Sequence, residues 1–186
     1  MKTLVAKTAI LATLLVASNL ASASTYNFYD TDLGSGTTFS QPGFTMVAST
    51  SNGGELGNIE FGEYAGLWVG KTTSSSGLYK LSFSQNISWI SIQFDALSAT
   101  GQLPVETISN FATSNGAVAI NYSDLFGTSF DGSSIYSSTN NGRGLITFSG
   151  AAFSDFSFRH TQNPSQNGFV IENIMVSTSP VPEPET

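Results

Sequence analysis

GLYKLSFSQNISWISIQFDAL, residues 77–97, alternates in the manner of half-buried β-strands. Over Tyr79-Lys80-Leu81-Ser82-Phe83-Ser84 the odd positions are apolar and the even ones polar. Further on, Ile90, Ile92 and Phe94 share one face, with Ser91, Gln93 and Asp95 opposite. A period of two puts every second side chain on the same side of a pleated strand, so each burst presents one face to a core and one to water. Val118, Ile120 and Tyr122 repeat the pattern, as do Phe156 and Phe158 against Asp155, Ser157 and Arg159. Short apolar runs at Thr25–Tyr29, Gly43–Ala48, Leu67–Val69, Val105–Phe111, Leu145–Phe148 and Phe169–Val176 complete the set.

Turn signals lie between these runs. Asn52-Gly53-Gly54, Asn115-Gly116, Asp131-Gly132 and Asn140-Asn141-Gly142 tolerate positive φ and favour tight hairpins. No window of a dozen residues carries a 3.6-residue period. The expectation is an all-β fold, a jelly-roll-like β-sandwich of about ten short strands. Phe83-Ser84 before Ile87–Ile92 echoes Phe148-Ser149 before Phe153–Phe158, and each reads as a strand, a short turn and a second strand.

The N-terminus has a different character. Lys2 and Lys7 precede the apolar run Ala9–Ala17, and Ala21-Ser22-Ala23 follows with small residues. That order is the pattern of a secretory signal peptide, 1–23, cleaved after Ala23. The run is shorter than the roughly 20 residues a transmembrane helix needs. Residues 24–178 then form the sandwich domain, and 179–186 a linker with a terminal Pro/Glu motif.

Beyond residue 23 only Lys71, Lys80, Arg143 and Arg159 are basic, against 13 acidic residues, a net charge of −9. Such a chain repels phosphate backbones and anionic membrane surfaces, which argues against nucleic-acid binding. There is no cysteine, so no disulfide holds the fold in an oxidising compartment.

Val181-Pro182-Glu183-Pro184 matches the core of the sorting motif of PEP-CTERM surface proteins, and the chain resembles that family. The stretch 77–97 is similar to the family's recurrent strand unit, and GFVIENIMVSTSPVPEP, residues 168–184, to its closing strand and linker. In the family, an apolar membrane segment and a basic cluster follow the motif; both are missing after Pro184-Glu185-Thr186. The resemblance implies a secreted bacterial cell-surface or extracellular-matrix protein. It also implies handling by the export and exosortase machinery, and association with exopolysaccharide or biofilm material.

Two ligand chemistries follow from the residues themselves. Trp68 and Trp89 fall out of phase with their aliphatic neighbours, so each indole either faces outward as a sugar platform or lies under a covering loop. Asp30 and Asp32 near the first strand, with Glu172 and Asn173 on the last, offer oxygens to a calcium ion, which takes about six to eight of them. Solvated turn carboxylates are the alternative, because Gly34 occupies the third ligand position of a calcium loop.

Catalytic patterns are sparse. Glu55, Glu60 and Glu63 faintly resemble the paired glutamates of jelly-roll glucan hydrolases, but Gly57 and Asn58 stand where an intervening aspartate is required. His160 is the sole histidine, and no Gly-x-Ser-x-Gly elbow is present. The sequence therefore reads as non-catalytic, possessing no certain cofactor and with extracellular polysaccharide as its expected partner. A purely structural matrix protein and a jelly-roll glycan hydrolase are the competing readings.

Overall fold

A computed structural model describes residues 23–33, 37–61, 64–70, 76–98, 106–162 and 168–179. The described residues form twelve antiparallel strands and one helical turn. In order these are β1 (Thr25–Tyr29), α1 (Asp30–Leu33), β2 (Thr38–Gln41), β3 (Phe44–Ser51), β4 (Glu55–Phe61), β5 (Tyr64–Gly70) and β6 (Ser76–Leu97). They continue with β7 (Thr107–Thr113), β8 (Ala119–Phe126), β9 (Thr128–Phe130), β10 (Ser134–Ser137), β11 (Gly142–Thr161) and β12 (Phe169–Thr178). The fold is all-β, as the alternation requires.

The architecture departs from a set of uniformly short strands. The two stretches that echo each other are not strand–turn–strand units. Each is one long strand, β6 of 22 residues and β11 of 20, and the two pair with each other from end to end. Register breaks between Ser149 and Asp155 let the ladder bend without a turn. Phe148 and Phe156 then meet at 4.6 Å between ring centroids, although eight extended residues would separate them by about 26 Å. The long strands therefore fold over and contribute to both layers of a sandwich.

One layer contains β4, β5 and β1 on the outer side of β12, then the second half of β6, the first half of β11, and β8. The other contains β2, β3, the first half of β6, the second half of β11, then β7, β10 and β9. The chain passes repeatedly between the layers, as it does in jelly rolls.

Phe94, Phe148, Ile174 and Val176 face inward from the first layer, and Tyr79, Leu81, Phe156 and Phe158 from the second; all are buried. Burying one such side chain stabilises by about 1.5–3 kcal/mol. Between the layers lies an apolar space of about 10 Å³ lined by Phe148, Phe156 and their neighbours. Its lining is wholly Ile and Phe, so it offers a water no polar partner. The aromatic interior thus holds the fold together with no disulfide.

Candidate functional site

Four neighbouring strands of the first layer break register at the same level. Between β12 and β6, Ile171 faces Phe94 but Asn173 faces Gln93, so Glu172 is an extra residue. Between β6 and β11, Leu97 faces Gly142 and Phe94 faces Gly144, which leaves one extra residue in β6 at Asp95-Ala96. Between β11 and β8, Arg143 faces Phe126 and Gly144 faces Asp124, so Leu125 is extra. An inserted residue bends its strand and re-aims the neighbouring side chains, a device common beside functional sites.

The breaks open a cleft of about 650 Å³ lined by Gln93, Leu125, Phe126, Asn140, Asn141 and Arg143. Leu125 is 51% and Phe126 55% exposed, an unusual outlay of apolar surface in a core-facing fold. Asn141 has a φ of 63°, a conformation its short amide tolerates. Gly144, beside Arg143, lies so close to Phe94 that a Cβ would stand 2.4 Å from that ring. Its lack of a side chain lets β11 approach the core at this point.

Behind the cleft lies a compact charge network. Asp95 is 1% exposed, and its Oδ2 is 2.7 Å from Arg143 Nε. The Ala96 amide donates to Asp95 Oδ1 at 2.5 Å. Ala96 makes that bond at a φ of 63°, which costs a non-glycine residue about 1–2 kcal/mol. Gln93 Nε2 donates to Glu172 Oε2 at 2.8 Å. Burial pushes the Glu172 carboxyl above its usual range; the Gln93 bond opposes that shift and the Asp95 carboxyl adds to it. The groups that line the cleft are a guanidinium, amides and apolar side chains. The carboxyl groups sit behind them as supports.

The residues read from the sequence fall elsewhere, apart from Glu172. Trp89 stands half-buried on the outer face of the first layer, between Ser149 of β11 and Ser177 of β12. Trp68, also half-buried, lies against Gly57, Gly70 and Gly168; a Cβ at Gly168 (φ 82°) would come within 2.9 Å of the indole Nε1. Neither indole lines the cleft.

Asn173 pairs with Tyr29 across β12 and β1, which brings Asp30 near Glu172 along the backbone. The side chains do not converge, however. Asp30 Oδ1 accepts from the Thr31 amide at 2.7 Å and Asp32 Oδ2 from the Tyr29 amide at 3.5 Å, while Glu172 turns to Gln93. Among the described residues no three His, Asp or Glu side chains gather as a metal would need. Glu55 and Glu60 lie on strand β4. Residues 1–22, Glu63 and the motif Pro182, Glu183 and Pro184 lie outside the described residues, and Ala23 is exposed at the start of the first described segment.

His160 is buried at the far end of β11, with its Nε2 2.6 Å from Glu106 Oε1. Glu106 Oε2 also accepts from the Ser98 amide at 2.6 Å. Sequence reasoning missed Glu106, Asp95, Arg143 and Phe126. The usable signals were Arg143 as one of four cations beyond residue 23, and two adjacent large apolar residues, Leu125-Phe126, ending a strand. Comparison of the chain with known protein families, characterised proteins and solved structures finds no match. No helix among the described residues is long and apolar enough to cross a membrane.

Proposed function

We propose that the chain is a secreted, non-catalytic protein of the bacterial cell surface or extracellular matrix that binds polysaccharide in the cleft between β8 and β11. The observation that carries the binding role is the cleft itself. It places an exposed Phe126 and Leu125 beside the amides of Gln93, Asn140 and Asn141. Sugar rings offer apolar C–H faces to an aromatic surface and hydroxyls to amides, which donate and accept. The signal-peptide pattern at 1–23 and the PEP motif at 182–184 support the extracellular address.

Electrophoresis of the full chain through gels cast with bacterial exopolysaccharides tests the binding role. The expected result is retardation in at least one gel, abolished by Phe126→Ser and retained in Trp68→Ala and Trp89→Ala. Unretarded migration in every gel would leave a matrix protein with a purely structural role. Sequencing of the exported chain tests the address, with Ser24 expected as the new N-terminus.

A further inference from the structure

We propose that the cleft reads a carboxylate through Arg143, so that its ligand is an acidic, uronate-bearing polysaccharide. This rests on the polysaccharide reading above and names the class of glycan. Arg143 does not hang free in solvent. Its Nε is held 2.7 Å from Asp95, a carboxylate with 1% exposure that is itself gripped by the left-handed Ala96 amide. The side chain remains 44% exposed and lines the cleft. A guanidinium held at Nε keeps its two terminal nitrogens as a planar fork, the shape that matches a carboxylate with two parallel hydrogen bonds. Holding it in advance removes part of the ordering cost of binding.

The surroundings select a sugar acid over other anions. Phe126 faces Arg143 across the β11–β8 pairing, so an aromatic surface adjoins the fork at the distance between neighbouring strands. A pyranose can lie on that ring while its own carboxylate reaches the guanidinium and its hydroxyls reach Asn140, Asn141 or Gln93. A phosphate dianion calls for more positive charge than this cleft holds. Asp95 balances Arg143, Lys80 is paired with Asp155, and Arg159 Nη1 donates to Ser76 at the other end of β11. In this acidic chain the carboxylate is therefore read by the paired hydrogen bonds of the fork and not by net charge. One fork suits one singly charged group per sugar.

Calorimetric titration of the full chain, with chelator present, compares oligogalacturonate, its methyl ester and polyglutamate. Oligogalacturonate is expected to bind about tenfold or more tighter than the ester, a preference that falls to about twofold or less in Arg143→Gln. Arg143→Lys keeps the charge and a partner for Asp95 but loses the fork, and part of the preference should go with it. If Arg143→Gln does not fold, the ester comparison on the unaltered chain and the Arg143→Lys result decide. Equal binding of acid and ester, lost in Phe126→Ser, would overturn the carboxylate assignment and leave a neutral-glycan site. Polyglutamate binding as tightly as oligogalacturonate would overturn it in favour of an acidic peptide. No binding of any of the three by a chain that no exopolysaccharide gel retards would overturn the polysaccharide reading as well.

Discussion

Strand β11 pairs a basic side chain with a carboxyl group near each of its ends, and the two pairs have opposite fates. At His160 the register with β6 is regular: Arg159 faces Leu78, His160 faces Gly77 and Thr161 faces Ser76. On the other side of β11, β7 has one extra residue between Ser109 and Ala112. The alternation along β11 itself is kept and carries His160 inward in the same row as Phe156 and Phe158, where it and Glu106 are 1% and 0% exposed. Tyr79 and Phe169 enclose it, with ring centroids at 6.2 and 5.0 Å. At Arg143 the ladder is broken on both sides, and only the Asp95 half of the pair is buried. Where both partners are enclosed the pair belongs to the scaffold, and where one keeps its guanidinium at the surface a ligand can reach it.

The largest expected effect lies at the sealed end. His160→Leu leaves Glu106 buried with the Ser98 amide but without its His160 partner, and removing one partner of a buried pair costs about 3–5 kcal/mol. Replacing both groups, His160→Leu with Glu106→Leu, should recover most of that loss, because the penalty comes from the stranded polar group. Urea unfolding of the two variants measures the difference. At the open end, Asp95→Ala strands a guanidinium that can turn to water, so the expected cost is about 1–3 kcal/mol, with a larger proportional loss of ligand affinity. Equal destabilisation by Asp95→Ala and His160→Leu would mean that exposure does not separate the two pairs.

The same contrast explains what could be read in advance. Regular alternation made β1 legible to the residue, Thr25–Tyr29, and placed Ile90, Ile92 and Phe94 on the inner face, because period-two patterning and burial share a cause. The bend in β6 and β11 was not legible. Ser- and Asn-containing stretches read as turns, whereas here they continue a ladder whose hydrogen bonds come from the partner strand. The cleft was hidden for the same reason. One inserted residue reverses the facing of all that follows, and the insertions at Glu172, Ala96 and Leu125 are visible only once the strands are paired. Ala96 gives no warning at all, since alanine in the left-handed region has no sequence signature.

That residue provides a subtler probe of the open end. Ala96→Gly relieves the strain of a φ of 63°, and the expected gain in folding stability is up to about 1 kcal/mol, after allowing for the freer unfolded chain. The amide that grips Asp95 becomes less constrained, so ligand affinity should fall while the unfolding midpoint rises. Opposite movement of stability and affinity identifies strain invested in the site. A midpoint and an affinity that rise together would instead assign Ala96 to the scaffold.

The smallest effects are those of pH, and they too should differ in sign between regions. Partial burial pushes Asp155 upward, but hydrogen bonds from Lys80, Ser82 and Ser154 and the Lys80 charge outweigh it and hold the carboxyl below its usual range. Its contribution is present above the unfolded value of 3.8 and is lost as pH falls through the lower folded value. Glu172 does the reverse. Its raised folded value means that the native state holds the proton more tightly, so its contribution is present below 4.5 and is lost as pH rises through the folded value. Glu172→Gln keeps an uncharged side chain at the cleft and removes that decline. The variant's urea midpoint should therefore fall less than the parent's between mildly acidic and mildly alkaline pH, with the two curves closest at the acid end. Parallel curves would show that the Glu172 carboxyl is hydrated in both states, and that the open end extends to β12 as well as to β8 and β11.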